Sequence, residues 1–194
     1  MKNKNIWKLL FIALLSFNIL VLLGIGILFF LAGDQEPAPE TTVSTANMSE
    51  FLIRTQKQDL NELINHYIEK EGLDGPIHYR VLLTDEVELY GEVQVFSESM
   101  FLKMTFEPIA LENGDLILKQ KSLSLGDVKL PVTYILKFIS DAYKLPDWVI
   151  IQPNDKQIYV SLQQMKLKSG IQVRIEEFNL VDDRIAMKMF VPVH

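Results

Sequence analysis

Residues 87–125 read VELYGEVQVFSESMFLKMTFEPIALENGDLILKQKSLSL, and their two-residue period decides the fold. Val87, Leu89, Gly91, Val93 and Val95 alternate with Glu88, Tyr90, Glu92 and Gln94. Met100, Leu102, Met104 and Phe106 alternate with Phe101, Lys103 and Thr105. Successive side chains of a strand point to opposite sides, so each run has one apolar and one wet face. Asn113-Gly114 is a hairpin signal, because glycine tolerates the positive φ that a tight turn demands. Leu116 to Leu125 then returns as the next strand. The stretch therefore predicts an antiparallel meander with one face on a core.

The same pattern extends outward. Ile77, Tyr79, Val81 and Leu83 form a preceding strand, joined to Val87 through a Thr84-Asp85-Glu86 turn. Further on, Trp148–Ile151, Gln157–Leu162, Gln172–Leu180 and Ile185–Val191 read as strands, the last two hinged at Asp182-Asp183. Two segments have helical spacing instead. Phe51, Ile53, Leu60, Leu63, Ile64, Tyr67 and Ile68 form one apolar stripe, with Ser49 as its expected N-cap and Gly72 as its stop. Ile135, Leu136, Phe138, Ile139, Ala142 and Tyr143 form a second, opened by Pro131 and closed by Leu145-Pro146. The expected fold is α+β, a curved antiparallel sheet wrapped on two helices.

The N-terminal quarter differs in kind. Residues 9–32 carry no charge, and a helix of that length is about 36 Å long, enough to cross a hydrocarbon core of about 30 Å. Lys2, Lys4 and Lys8 precede the run, and no acid occurs before Asp34. That asymmetry orients a single-pass helix with residues 1–8 in the cytoplasm. A cleaved signal peptide is the rival reading. The run exceeds a signal core, and Phe30-Leu31 stands where small residues belong. Residues 33–47, rich in Pro, Thr and acids, read as an extended linker to an extracytoplasmic domain over 48–194.

The chain has no cysteine, which excludes disulfides, thiol chemistry and lipid attachment at the end of the apolar run. Without the three N-terminal lysines, 16 basic residues face 25 acidic ones, a balance of −9. Such a domain repels polyanions, so nucleic acid is not an expected partner. No metal site is expected, because His66, His78 and His194 lack ligand spacing. No nucleophile motif, phosphate loop or dinucleotide fingerprint occurs, so the chain is read as neither an enzyme nor a cofactor binder. The acids cluster at turns, where aspartate is favoured for backbone reasons.

Apolar supply is what remains. Methionine adapts to irregular apolar partners, and Met100, Met104, Met187 and Met189 lie on alternating strands. A groove between helix and sheet, walled by Met100, Met104, Phe138 and Met187, is the candidate ligand site. The alternative is that these residues fill a closed core. Binding of a lipid or other apolar ligand is the leading expectation. A protein-interaction module of an envelope assembly is the second.

The chain resembles the YpmS-like family of membrane-anchored proteins of Gram-positive bacteria. The likeness rests on the N-terminal anchor, Phe106-Glu107-Pro108 ahead of Asn113-Gly114-Asp115, Leu123-Ser124-Leu125-Gly126, Leu130-Pro131, and Leu145-Pro146 leading through Val149 to Pro153. It implies a cell-membrane location and no catalytic residues. More distantly, the order of sheet, Gly126-x-x-x-Leu130-Pro131, helix, Leu145-Pro146 and strand is similar to tubular lipid-binding domains. That likeness implies a long helix inside a curved sheet.

The helical phases place Leu60, Ile64, Ile135 and Ile139 against the sheet. Changing Ile64 or Ile139 to Asp buries an unpaired charge and should unfold much of the domain at room temperature. Circular dichroism melts decide this, and variants that melt with the parent refute the phases.

Overall fold

A computed structural model describes residues 10–23, 47–70, 79–95, 98–126, 130–142, 145–165, 167 and 170–193. The chain divides into two units, residues 1–35 and 36–194. In the first, residues 10–23 form helix α1, with every described side chain exposed. Among the described residues no helix is long and apolar enough to cross a membrane. The flanking lysines, residues 9 and 24–32 of the expected span and most of the expected linker lie outside them.

The second unit is α+β with two antiparallel sheets. Its elements are β1 (Met48–Thr55), α2 (Lys57–Lys70), β2 (Tyr79–Leu83), β3 (Val87–Val95), β4 (Glu98–Ala110), β5 (Leu116–Leu125), α3 (Val132–Ala142), β6 (Val149–Gln152), β7 (Gln157–Val160), β8 (Gln172–Asn179) and β9 (Arg184–Pro192). A 3-10 turn, Leu162–Gln164, follows β7. One sheet has the order β2-β3-β4-β5-β7-β6, the other β1-β9-β8. The single curved sheet expected from the sequence is thus replaced by two. Strands β2 to β9 overlap the runs read as strands, but strand order is a long-range property that alternation does not encode.

The largest correction lies at residues 48–55. The expected helix start is a strand, paired with β9 from Met48↔Pro192 to Thr55↔Ile185. Phe51 and Ile53 stand two apart, which is the strand period, and were absorbed into the stripe of the helix behind them. The helix begins only at Lys57, and Leu60 N donates to Gln56 O at 3.1 Å. Its cap comes from the other end of the unit: Asp183 Oδ1 accepts from Lys57 N at 2.7 Å. A carboxylate there satisfies an orphan amide and faces the positive end of the helix dipole. The expected stop, Gly72, lies outside the described residues.

The core lies between the inner face of the six-stranded sheet and the two helices. Leu60, Leu83, Val87, Leu102, Met104, Phe106, Leu125, Ile135 and Leu136 are buried there, joined by Leu180 and Ile185 from the β8–β9 end. Ile64 and Ile139 pack against it, as their helical phases require. Helix α2 also completes the edge of β2. Asn61 exchanges hydrogen bonds with Leu83 N (2.7 Å) and O (3.1 Å), and Asn65 with Val81 N (3.2 Å) and O (2.7 Å). A carboxamide carries donor and acceptor on one plane, as a peptide does, so α2 stands in for a neighbouring strand.

The Asn113-Gly114-Asp115 turn joins the sheets. Gly114 has φ 90, and a Cβ there would overlap the side chain of Arg174 on β8. Gly114 O accepts from Ile175 N at 2.8 Å. Asp115, 1% exposed, accepts from Tyr159 Oη (2.6 Å), Ser161 Oγ (3.3 Å), Gln163 N (3.3 Å) and Asn113 Nδ2 (3.1 Å). Truncating Asp115 to Ala orphans these donors and should cost about 3 kcal/mol, measured by chemical denaturation.

Burial, together with the bond to Asp115, pushes the Tyr159 hydroxyl up to about 12. A raised pKa favours the protonated form in the fold, so this stability is complete below the unfolded value of about 10. It should be lost as pH climbs from about 10 to about 12, and Tyr159→Phe should remove that alkaline loss.

Candidate functional site

The four residues expected to wall a groove are distributed over three places. Met104, 0% exposed, sits in the core with Phe106 and Leu136. Met100 packs against that same core. Phe138 lies on α3 and is 38% exposed. Met187 belongs to β9 in the other sheet, opposite Ile53 and Ile175. The structure therefore brings together Met100 and Met104, as core filling, and leaves Phe138 and Met187 apart from it.

Register assembles a different apolar surface around Met187. Directly opposed residues of an antiparallel sheet share a face. Phe51, Met189 and Val173 form one row, and Ile53, Met187 and Ile175 the next. Val191 and Ser49 extend the face at one end, while Ile185 and Phe178 anchor it in the core at the other. Burial declines across it. Ile185 and Ile175 are buried, Met187, Met189 and Val173 are half-buried, and Phe51 and Ile53 are 51% and 36% exposed.

The opposite face of this sheet sets charged residues beside Leu52, Ala186 and Phe190. Lys188 Nζ meets Glu50 Oε1 at 3.1 Å, a bond that raises the lysine above its ordinary range. The guanidinium of Arg174 stacks over Phe190, 5.0 Å from the ring centre. The outer face of the larger sheet is similar: Lys121 reaches Glu86 at 2.6 Å and Lys103 reaches Glu88 at 3.2 Å. Their bonds to Lys121 and to Tyr90, respectively, hold Glu86 and Glu88 below the usual carboxylate range. Half-covered apolar area on a domain this well supplied with charge makes the Phe51–Met187 face the candidate contact surface.

An open cleft of about 570 Å³ lies beside it, lined by Arg54, Gln56, Asp59, Glu177, Asp183 and Arg184 among others. Three of its charges, on Glu177, Asp183 and Arg184, are already engaged. Arg184 bridges Glu177 at 2.8 Å and Asp182 at 3.1 Å, and Asp183 caps α2. Among the described residues no group of three or more His, Asp or Glu could hold a metal ion. His66 is exposed on α2, and His78 and His194 lie outside the described residues.

Sequence reasoning missed Phe51 and Ile53 as sheet residues. The available signal was MSEFLIRT itself, whose Ser49-x-Phe51-x-Ile53-x-Thr55 alternation fits a strand. The two methionine settings differ measurably. Met104→Trp overpacks the core and should cost about 1–3 kcal/mol, whereas Phe51→Ser at the open end should stay within about 1 kcal/mol of the parent. Urea unfolding of both variants tests the assignment.

The model of a family described as "Uncharacterized protein conserved in bacteria (DUF2140)" matches residues 5–191. The "Uncharacterized protein YpmS" of Bacillus subtilis (strain 168) is 31% identical over 188 residues, covering 97% of this chain and 98% of that protein. No solved structure matches the chain significantly.

Proposed function

The chain belongs to the DUF2140 family, and from that premise we propose that it is a membrane-tethered, extracytoplasmic domain that binds a lipid or other apolar ligand. The observation that carries the reading is the apolar face of the three-stranded sheet, open at Phe51 and Ile53 and half-buried at Met187 and Met189. Methionine and β-branched neighbours can repack around an acyl chain without a fixed mould. Met187 is the residue kept from the expected groove. Met100 and Met104 fill the core and Phe138 stands on α3, so none of these three belongs to the face.

The tether supports this reading. All fourteen described residues of α1, 10–23, are exposed and only Ser16 and Asn18 among them are polar. Water is a poor solvent for such a surface, and hydrocarbon is a good one. In the sequence the apolar run continues through residue 32, with lysines on its N-terminal side. It is the single-pass anchor of the cell membrane in this proposal, N-terminus inside. Fifteen residues, 33–47, can span at most about 50 Å.

A vesicle experiment tests both parts. The full chain, reconstituted with a photoactivatable phospholipid, should be labelled in the anchor and also in residues 48–55 and 184–192. Phe51→Glu with Met189→Glu should abolish the second labelling and preserve the first. Labelling confined to the anchor in the parent overturns the lipid reading. Release of the chain by carbonate washing overturns the tether.

A further inference from the structure

Strand β1 is an edge of its sheet, paired on one side with β9. Its central residues Glu50, Phe51, Leu52, Ile53 and Arg54 are all exposed. A strand edge carries a row of backbone donors and acceptors that template pairing with another chain. Proline, the usual blocker, is absent from MSEFLIRT.

The sequence of this edge is self-complementary when reversed about Leu52. With Leu52 opposite its own copy, Phe51 meets Ile53, Glu50 meets Arg54 and Ser49 meets Thr55. One pair is apolar, one oppositely charged and one hydroxyl to hydroxyl, each a favourable cross-strand pair. Other registers lose this. Moving the axis to Phe51 sets Glu50 against Leu52 and Arg54 against Met48. Moving it to Ile53 sets Glu50 against Gln56, and moving it to Arg54 brings like charges together.

We infer that β1 pairs antiparallel with β1 of a second copy of this chain across a two-fold axis at Leu52. The two sheets then form one six-stranded sheet in the order β8-β9-β1-β1-β9-β8. A two-fold perpendicular to a sheet keeps equivalent faces together, so the Phe51–Met187 faces of both copies become one surface. Phe51 and Ile53, the most exposed apolar residues of that face, gain partners at its centre. Leu52, 50% exposed on the other face, gains its own counterpart. This pairing does not depend on a lipid ligand.

The chain has no cysteine of its own, so a single introduced one reports the register. Directly opposed residues of antiparallel strands lie about 4.5–5.5 Å apart at Cα, within disulfide reach. Leu52→Cys in the full chain in lipid vesicles should form a disulfide-linked dimer on mild oxidation. Ser49→Cys and Arg54→Cys stand about 20 Å and about 14 Å from their own copies in this register and should yield at least tenfold less. In the Leu52→Cys background, Arg54→Glu should cut the yield about tenfold, and adding Glu50→Arg should restore it. Thermal melts of each variant check that the fold is retained. Equal yields at positions 49, 52 and 54, no dimer from Leu52→Cys, or a charge swap that fails to restore dimer in a folded variant overturns the pairing.

Discussion

The carboxyl group of Asp115 is the point from which the arrangement of the second unit hangs. Buried from water, it is tolerable only if its oxygens are supplied with donors. Those donors come from three separate stretches: Asn113 in its own turn, Tyr159 and Ser161 at the end of β7, and the backbone of Gln163 beyond it. Each can reach Asp115 only if β7 lies beside β5 and the chain then bends into its 3-10 turn. The adjacent carbonyl of Gly114 holds the amide of Ile175 on β8, so the same turn fixes where the smaller sheet meets the larger. The glycine is required twice, by its positive φ and by the side chain of Arg174 against it.

Most elements were legible because their signals are local. Alternation in 87–95, 100–106 and 116–125, the Asn113-Gly114 turn and the phase of Leu60 and Ile64 depend on neighbours within a few residues. Where a signal was short, the neighbouring element captured it. Two apolar residues of β1, two apart, are compatible with the start of a helical stripe, and only pairing with β9 separates the possibilities. The cap of α2 illustrates the same limit, since Ser49 was the nearest candidate in sequence and Asp183 is the nearest in space.

The candidate site was half legible for a related reason. Composition identified methionines on strands as adaptable apolar material, but not which face each would share. Met104 and Met187 both alternate within a strand. Membership of different sheets makes one a core residue and the other part of a half-covered surface. The two edges nearest these faces are treated oppositely. That of β2 is completed by the carboxamides of Asn61 and Asn65, which satisfies its backbone and excludes another strand. That of β1 carries charges and apolar side chains in an order that a reversed copy of itself would match.

The pairing of β1 with β9 also has a consequence for how the chain becomes folded. Helix α2, β2 and β3 are close in sequence, and their contacts form by closing short loops. Strand β1 precedes all of them, yet its partner β9 is at the far end of the unit. A chain emerging N-terminus first therefore exposes β1 with both edges open for as long as the remaining strands take to appear. Through that interval a self-complementary segment is the one that waits longest for its intramolecular neighbour. Order of arrival, as well as final stability, decides whether β1 meets β9 before it meets another chain.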